Sequence, residues 1–303
     1  MPAFAGIYTP LATPFAHDGS LDTRALTRNV EKYLASPLTG LVVLGSNGEA
    51  AQLDDQEADL AIKTVRDAMP KHRPLLAGTG RESTAATIAA TRRAADLGVD
   101  AVLVRTPSFY KGQMTTDAFV KHYTQVADQS PVPVLLYNVT MYTGVNLLPE
   151  AVGILSRHPN IVGIKETNSD MVQFGEHFAR AEEGFTVLAG SGATYYSALA
   201  LGAHGAILAI AGVAPKLCVD IFNAVRERRF DDAKTMHRAL APIARLVGAQ
   251  YGVPGLKAAI TLCGYEGGQP RPPLQPVPQN AIDAIRAALA ELNLLVEVSH
   301  VAR

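Results

Sequence analysis

The sequence is poor in the residues and patterns that mark several classes of protein. It has two cysteines in 303 residues, Cys218 and Cys263, which excludes a disulfide scaffold and a cysteine-based zinc site and suits a reducing compartment. Its net charge is −1, so it lacks the positive excess that non-specific nucleic-acid binding requires. The sequence has no polybasic run that would indicate binding to a membrane surface. It also has no apolar stretch that approaches the roughly 18 residues of a membrane span.

Signals for targeting, metals and nucleotides are also missing. The first residues show no basic region followed by an apolar stretch, so we expect no signal peptide and a cytoplasmic protein. The eight histidines are scattered without paired spacing, and we expect no metal site. The segment Gly78-Thr79-Gly80 lacks the third spaced glycine of a dinucleotide fingerprint, and the sequence has no phosphate-binding loop motif.

What is present is a large apolar fraction arranged in alternating short and long segments. Hydrophobic residues make up 48% of the chain, enough for a sizeable core in one large domain or two modest ones. Eight short apolar runs are predicted strands: 7–14, 41–44, 75–77, 101–104, 134–137, 161–165, 186–189 and 205–209. Segments with helical spacing follow them: 21–34, 54–69, 84–97, 116–128, 149–155, 171–179, 193–201 and 215–225, with Ser83, Thr115 and Asp170 as predicted N-caps.

This alternation predicts an α/β protein of the (β/α)8 barrel class. Near-continuous apolar strands are typical of a parallel sheet covered by helices, and eight such units fit a closed TIM barrel better than an open sheet. We therefore expect a barrel over residues 1–225 and a C-terminal helical extension over 226–303 that packs on it. Further helices are predicted at 231–247, 253–262 and 280–294, and the proline-rich segment 269–278 reads as an ordered strap or a disordered linker.

Lys165 is the first candidate for chemistry because it ends a predicted strand of apolar residues. Function in such barrels lies at the carboxyl ends of the strands. A desolvated ammonium has a lowered pKa, and the neutral amine can then attack a ketone to form a Schiff base. The alternative is an ordinary strand-end lysine whose ammonium reaches solvent.

Tyr137 ends the preceding predicted strand and is a candidate proton shuttle for that chemistry. A phenol has a pKa of about 10 and needs a relay to exchange protons; Ser46 and Tyr110, after two other strands, are candidates for the relay. The alternative is that each tyrosine is a capped core aromatic.

The small-residue loop Gly45-Ser46-Asn47-Gly48 could hold a carboxylate with its backbone amides and two polar side chains. The alternative is an ordinary turn between a strand and a helix. It is not a nucleophile elbow, because Leu44 stands where that motif has glycine.

Four ordered motifs carry a resemblance to a known family. They are Gly45-Ser46-Asn47-Gly48-Glu49, Thr106-Pro107-Ser108-Phe109-Tyr110, Tyr137-Asn138-Val139 with Thr143-Gly144, and Gly163-Ile164-Lys165-Glu166. In this order and spacing the chain resembles the dihydrodipicolinate synthase / N-acetylneuraminate lyase family, from Gly6 to about Leu294. The resemblance implies pyruvate-dependent class I aldolases on a (β/α)8 barrel with a C-terminal helical extension.

The resemblance also implies roles for individual residues. Lys165 resembles the Schiff-base lysine, and Tyr137 the general acid/base. Ser46 and Tyr110 resemble the hydroxyl relay, with Tyr110 reaching in from a neighbouring subunit of a homotetramer built as two dimers. The positions that match substrate-binding residues are Ser46, Asn47, Thr167, Gly190, Ile207 and Tyr142.

Departures from the family pattern bear on the substrate. The synthase of lysine biosynthesis carries Thr-Thr where this chain has Ser46-Asn47, and an arginine for the semialdehyde carboxylate where this chain has Tyr142. Tyrosine cannot supply the bidentate charged clamp of arginine. The sialic-acid lyases carry an acidic residue at the position of Ala193, which argues against a sialic-acid substrate.

The sequence resembles the 4-hydroxy-2-oxoglutarate aldolase subfamily most. The Gly-Ser-Asn-Gly-Glu motif and the segments 251–257, 264–268 and 271–275 are similar to it, whereas Tyr142 and Thr167 differ from its usual asparagine and serine. We expect a metal-independent lyase that cleaves a 4-hydroxy-2-oxo acid, in the first instance 4-hydroxy-2-oxoglutarate, to pyruvate and an aldehyde such as glyoxylate. No cofactor is expected beyond the covalent Schiff base on Lys165.

Three alternatives stay open from the sequence. The first is 4-hydroxy-tetrahydrodipicolinate synthase, and the second is an aldolase or dehydratase that acts on 2-keto-3-deoxy sugar acids. The third, from a different class, is a catalytically idle barrel that binds 2-oxo acids, although the presence of both Lys165 and Tyr137 argues against it.

Overall fold

A computed structural model describes residues 2–296, and in them eight parallel strands form a closed barrel in chain order. The strands are β1 (Gly6–Pro10), β2 (Gly40–Val43), β3 (Leu75–Gly78), β4 (Ala101–Arg105), β5 (Val134–Asn138), β6 (Ile161–Glu166), β7 (Thr186–Ala189) and β8 (Gly205–Ile207). Each strand pairs with its neighbour in sequence, and β1 pairs with β8 to close the barrel. The predicted (β/α)8 barrel is confirmed.

The helices cover the outside of the barrel and form the C-terminal extension. They are α1 (Thr23–Leu34), α2 (Asp55–Ala68), α3 (Thr84–Asp96), α4 (Thr116–Gln129), α5 (Thr140–Thr143), α6 (Pro149–Leu155), α7 (Met171–Arg180), α8 (Tyr195–Ala200), α9 (Pro215–Arg226), α10 (Phe230–Arg245), α11 (Gly252–Leu262) and α12 (Gln279–Glu291). The domain boundary at residue 225 stays a prediction, and residues 297–303 of the predicted extension lie outside the described residues.

Local capping explains where several helices begin. Ser83, Thr115 and Asp170 are N-caps, as predicted, and each side chain accepts a hydrogen bond from a backbone amide of the first turn. Asp54 and Glu57 form a reciprocal capping box at the start of α2. These caps satisfy amides that have no partner within the helix.

The core has two layers because each strand is buried on both faces. Alternate strand residues point into the barrel, where Tyr8, Val42, Leu103, Leu135 and Ile207 belong to one apolar cluster. The other face packs against the helices in a second and larger cluster. Parallel strands covered in this way read as unbroken apolar runs in sequence.

Some element bounds differ from the predictions. The first strand ends at Pro10 rather than at residue 14, and the last ends at Ile207 because a 3-10 turn begins at Ala209. The predicted helix 231–247 runs as Phe230–Arg245 and continues into a π-helical turn over Leu246–Gln250. The short helix Thr140–Thr143 was not predicted, since four residues carry no periodic signal.

The proline-rich segment 269–278 is an ordered strap. Arg271 fixes it to the barrel through two hydrogen bonds to the carboxylate of Glu57 and one to the carbonyl of Gln52. The choice between strap and disordered linker is therefore settled by contacts that are distant in sequence. None of the helices in residues 2–296 has the length and apolarity that a membrane crossing needs.

Candidate active site

A cavity of about 720 Å³ opens at the carboxyl ends of the strands. Its lining includes Ser46, Tyr137 and Tyr142, together with residues of the segment Tyr251 to Pro254 that precedes and begins α11. The barrel therefore places two of the predicted catalytic residues on one cavity, and the C-terminal extension supplies part of its wall. Enzymes with this fold use the same end of the barrel.

Lys165 is buried inside the barrel next to this cavity. It lies on β6 with 4% of its surface exposed, so the alternative of a lysine that reaches solvent is wrong. Burial lowers the pKa of its ammonium to about 7, because a low-dielectric environment penalises the charged form. A substantial fraction of the amine is then neutral, and nucleophilic, at neutral pH.

Tyr137 lies directly opposite Lys165 on the neighbouring strand β5. The Lys165 Nζ is 4.3 Å from the centre of the Tyr137 ring, and the Tyr137 hydroxyl is 3.2 Å from Ser46 Oγ. Burial raises the pKa of the phenol to about 12, and the Ser46 hydrogen bond opposes that rise. The phenol is thus neutral at pH 7 and can give a proton and take it back through Ser46.

The turn Ser46–Gly48 follows β2 and is a single 3-10 turn. The first amides of such a turn have no acceptor within it, which leaves them available to an anion. Leu44 before the turn and Glu49 after it both adopt a left-handed backbone, with φ of 56° and 55°. Asn47 is half-buried and does not line the cavity, so its substrate contact stays a prediction.

Gly190 leaves the space that the Lys165 side chain occupies. A Cβ at this position would lie 3.1 Å from Lys165 Cε and 2.2 Å from Thr167 Cγ2. The predicted site residues Gly190 and Thr167 therefore lie beside the lysine. The Thr167 hydroxyl donates to the Asn138 carbonyl at 2.5 Å, and Ile207 is buried in the same interior cluster as Tyr137.

The structure does not bring Tyr110 into the site of its own chain. Its side chain is 71% exposed, packs edge-to-face on Phe109, and is not part of the cavity lining. Tyr142, in contrast, lines the cavity although 53% of its surface is exposed. A role for Tyr110 in a neighbouring subunit stays a prediction.

Sequence reasoning missed a buried polar network behind the catalytic strands. Asn138 and Glu166, the residues that follow Tyr137 and Lys165, are joined by a hydrogen bond of 2.9 Å, and His177 lies 2.9 Å from the same carboxylate. Because strand side chains alternate, these two point to the helix side while Tyr137 and Lys165 point inward. The sequence does contain a signal for this network, because each of the two strands ends in two consecutive polar residues, Tyr137-Asn138 and Lys165-Glu166.

A second missed feature is an ion pair between Glu49 and Lys257, which are both buried. Lys257 stands in the otherwise apolar stretch that forms α11, and this is the signal that could have drawn attention to it. In residues 2–296, no three His, Cys, Asp or Glu side chains are grouped as a metal site would need.

Comparisons with known proteins agree on a family and a fold. The model of the Dihydrodipicolinate synthetase family matches residues 3–292. A 4-hydroxy-tetrahydrodipicolinate synthase of Xanthomonas axonopodis pv. citri is 38% identical over 97% of either chain, and one of Exiguobacterium sp. is 34% identical over 96% of this chain and 98% of its own. A dihydrodipicolinate synthase of Acinetobacter baumannii, solved in complex with pyruvate, has a TM-score of 0.92 at 29% identity and covers 97% of this chain and 100% of its own.

The family model spans nearly the whole chain, and the curated relatives match it over nearly their full lengths. The resemblance drawn from four sequence motifs is therefore confirmed at the level of the family. The narrower expectation of a 4-hydroxy-2-oxoglutarate aldolase is not confirmed, because these relatives carry the name of the synthase. The chain belongs to the dihydrodipicolinate synthetase family.

Proposed function

We propose that this protein is a class I aldolase that binds pyruvate as a Schiff base on Lys165 and makes or breaks a carbon–carbon bond to an aldehyde. The observation that carries the proposal is the buried Lys165 amine against the face of Tyr137, whose hydroxyl meets Ser46 at the cavity wall. This arrangement joins a nucleophile, an acid/base and a relay in one place.

The reaction follows from these three groups. The neutral Lys165 amine adds to the keto carbon, and Tyr137 protonates the departing hydroxyl so that water leaves and an iminium remains. In the cleavage direction Tyr137 takes the proton of the 4-hydroxyl, the bond between C3 and C4 breaks, and its electron pair moves into the iminium to give an enamine. An aldehyde leaves, C3 is protonated, and hydrolysis frees pyruvate and Lys165; condensation is the reverse.

The Ser46–Gly48 turn is the proposed site of the 2-oxo-acid carboxylate. Its leading amides and the Ser46 hydroxyl are polar donors next to Tyr137. An anion held there keeps the keto carbon close to Lys165, and such positioning is a major part of rate acceleration. The iminium itself is the electron sink, so the proposed reaction uses no metal or further cofactor, and dialysis against a chelator should leave activity unchanged.

The aldehyde partner has two candidates, each favoured by a different observation. The names of the relatives favour the condensation catalysed by 4-hydroxy-tetrahydrodipicolinate synthase, and we rank it first. The Gly45-Ser46-Asn47-Gly48-Glu49 motif favours the second candidate, cleavage of 4-hydroxy-2-oxoglutarate. Tyr142 on the cavity wall counts against the synthase, because the synthase resemblance calls for an arginine there. The arginines of the cavity lining, Arg81 and Arg105, are paired with Asp55 and Glu82.

Borohydride reduction in the presence of pyruvate tests the class of reaction. The protein should gain the mass of a reduced pyruvate adduct on Lys165, and Lys165→Ala should gain none. Absence of an adduct on the unaltered protein would refute the proposal. An adduct without turnover of any substrate below would instead support the idle barrel that binds 2-oxo acids.

A panel of assays then separates the candidates. It measures semialdehyde condensation with pyruvate, and pyruvate release from 4-hydroxy-2-oxoglutarate and from 2-keto-3-deoxy sugar acids. Tyr142→Arg is the matched variant: it should raise the rate of semialdehyde condensation if that aldehyde fits the unaltered cavity. The substrate with the highest kcat/KM on the unaltered protein identifies the partner.

We further propose that two subunits share each site in a homotetramer built as two dimers. Phe109 and Tyr110 form an exposed aromatic pair near the barrel mouth, and Met141 is also exposed. A Tyr110→Phe chain supplies an intact Lys165, whereas a Lys165→Ala chain supplies an intact Tyr110. Mixing the two variants under exchange conditions should restore activity, and a fully active monomer in sedimentation would refute the sharing.

We propose a cytoplasmic location because of the state of the two cysteines. Cys218 and Cys263 are both free in the structure, which suits a reducing compartment. Cell fractionation with an antibody to the protein tests it, and recovery in a secreted or membrane fraction would overturn it.

A further inference from the structure

Glu49 lies directly after the Ser46–Gly48 turn, and both of its carboxylate oxygens are held by the C-terminal extension. Its Oε1 is 2.5 Å from Lys257 Nζ, and its Oε2 accepts a hydrogen bond of 2.8 Å from the backbone amide of Arg271. Lys257 belongs to α11 and Arg271 to the strap 269–278. One carboxylate therefore connects the turn after β2 to two separate parts of the extension.

The Lys257 side chain is held in place by its contact with Glu49 and by two further neighbours. The side chain is buried, its Nζ donates a hydrogen bond to the Gln269 carbonyl at 2.7 Å, and the same Nζ lies 4.5 Å from the centre of the Phe15 ring. Burial lowers the pKa of the Lys257 ammonium, and Glu49 opposes that shift. A buried lysine with these neighbours is anchored in one position and does not take part in the Schiff-base chemistry.

The turn itself is strained on both sides. Leu44 and Glu49, which flank it, have left-handed backbones, a conformation that is costly for residues other than glycine. Such strain persists where surrounding contacts impose it, and it concentrates at functional sites. The Thr13 hydroxyl holds the Gly48 carbonyl at 2.7 Å, and the Glu49 anchor holds the other end.

We propose that Glu49, through its ion pair with Lys257, is a positioning residue that sets the Ser46–Gly48 turn for the carboxylate of the 2-oxo acid. The C-terminal extension is then part of substrate binding and is more than a support for the barrel. This inference rests on the proposed function, because the proposed function assigns the carboxylate of the 2-oxo acid to the Ser46–Gly48 turn. The competing explanation is that the buried pair contributes to stability alone.

Glu49→Gln is the first test, because it keeps the shape of the side chain and removes its charge. The concentration of pyruvate that gives half-maximal borohydride adduct should rise about tenfold, below the roughly hundredfold that a misplacement of 1 Å can cost. The extent of adduct at saturating pyruvate should change little, because Lys165 is untouched. The fall in kcat should not exceed that of Ser46→Ala, because a displaced turn disturbs only the contact between Ser46 and Tyr137.

A double variant separates positioning from stability. Glu49→Gln with Lys257→Met removes both buried charges and leaves neither unpaired, so the melting temperature should return towards that of the unaltered protein. The half-saturating pyruvate concentration should stay raised, because the link from the turn to α11 is absent. If Glu49→Gln alone does not fold, the half-saturating pyruvate concentration of the double variant tests the positioning role.

Glu266→Gln is a control for the loss of an ion pair between extension and barrel, in this case one that is partly exposed to solvent. Glu266 pairs with Arg28 of α1 and has no contact with the turn. This variant should leave the half-saturating pyruvate concentration unchanged.

Each outcome decides one question. If the unaltered protein forms no adduct with saturating pyruvate, the proposed function fails. If it forms the adduct but the double variant binds pyruvate as tightly as the unaltered protein, the positioning role fails and the proposed function stands. An equal loss in Glu266→Gln would also overturn the positioning role, because it would show a general effect of loosening the extension.

Discussion

Lys165 and Tyr137 face each other across two neighbouring strands, with the amine nitrogen 4.3 Å from the centre of the phenol ring. The register of β5 and β6 creates this relationship, and the Asn138–Glu166 hydrogen bond at the next position holds the two strand ends together. The proposed nucleophile and the proposed proton shuttle are thereby fixed on the same side of the barrel wall.

The rate of Schiff-base formation should follow the ionisation of Lys165. Its pKa of about 7 means that the amine is mostly protonated below pH 7 and mostly neutral above it. The second-order rate of adduct formation with pyruvate should therefore rise about tenfold per pH unit below pH 7 and level off above it. Stopped reactions quenched with borohydride measure this rate. A rise that continues to pH 10 would show that burial does not lower the pKa.

Tyr137→Phe should lower kcat by about a hundredfold to ten-thousandfold, the usual contribution of a general acid/base. The phenyl ring still fills the space beside Lys165, so an adduct should form slowly at high pyruvate. Ser46→Ala should lower kcat less, because water can replace the Ser46 hydroxyl beside Tyr137. Steady-state kinetics on the substrate identified by the panel measure both effects.

The control for Tyr137→Phe is Tyr195→Phe. Tyr195 is buried and its hydroxyl donates to the Cys218 carbonyl at 2.7 Å, away from the cavity. This variant should lose about 1 kcal/mol of stability and keep its kcat. Equal loss of kcat in both variants would contradict the role given to Tyr137.

Gly190→Ala should abolish most Schiff-base formation without unfolding the barrel. The added Cβ would lie 3.1 Å from Lys165 Cε and 2.2 Å from Thr167 Cγ2, so the lysine and Thr167 must both move. Adduct yield by intact mass is the measurement. The control is Gly175→Ala in α7, where an added Cβ meets no atom within 4 Å; it should gain about 0.5–1 kcal/mol of stability and keep full adduct yield.

Lys165→Met should stabilise the protein at neutral pH. The folded pKa of about 7 lies below the ordinary 10.5, so between these values the unfolded chain binds more protons and stability rises with pH. At pH 7 the buried amine therefore costs on the order of a few kcal/mol, which methionine removes. Urea unfolding at pH 7 and pH 9.5 measures the gain, which should be smaller at the higher pH. An unchanged midpoint at pH 7 would contradict the desolvation of Lys165.

Local signals predicted the architecture well, because each depends on residues close together in the chain. The eight apolar runs became the eight strands, and the caps Ser83, Thr115 and Asp170 begin their helices. Lys165 was identifiable because a charged residue ends an apolar strand in a fold whose strand ends carry function. Boundaries such as those of β1 and α10 were less well predicted, since turns and π-helical continuation depend on packing.

The site was only partly predictable from the sequence, because its contacts join residues that are distant in the chain. Lys165, Tyr137 and Ser46 were identified, and the structure brings them together. Their proximity alone does not determine which aldehyde is the substrate. The resemblance places Tyr110 at the site, whereas in the structure its side chain is exposed and does not line the cavity.

The sequence by itself determined that this chain forms eight strand–helix units and that a lysine and a tyrosine end two adjacent strands, because periodicity and apolar runs are local properties. Tertiary structure alone decided that Lys165 is desolvated, that Gly190 makes room for it, and that Glu49 is bound to Lys257 of the extension. Desolvation and ion pairing depend on atoms that are distant in sequence, and only the closed barrel with its packed extension brings those atoms together.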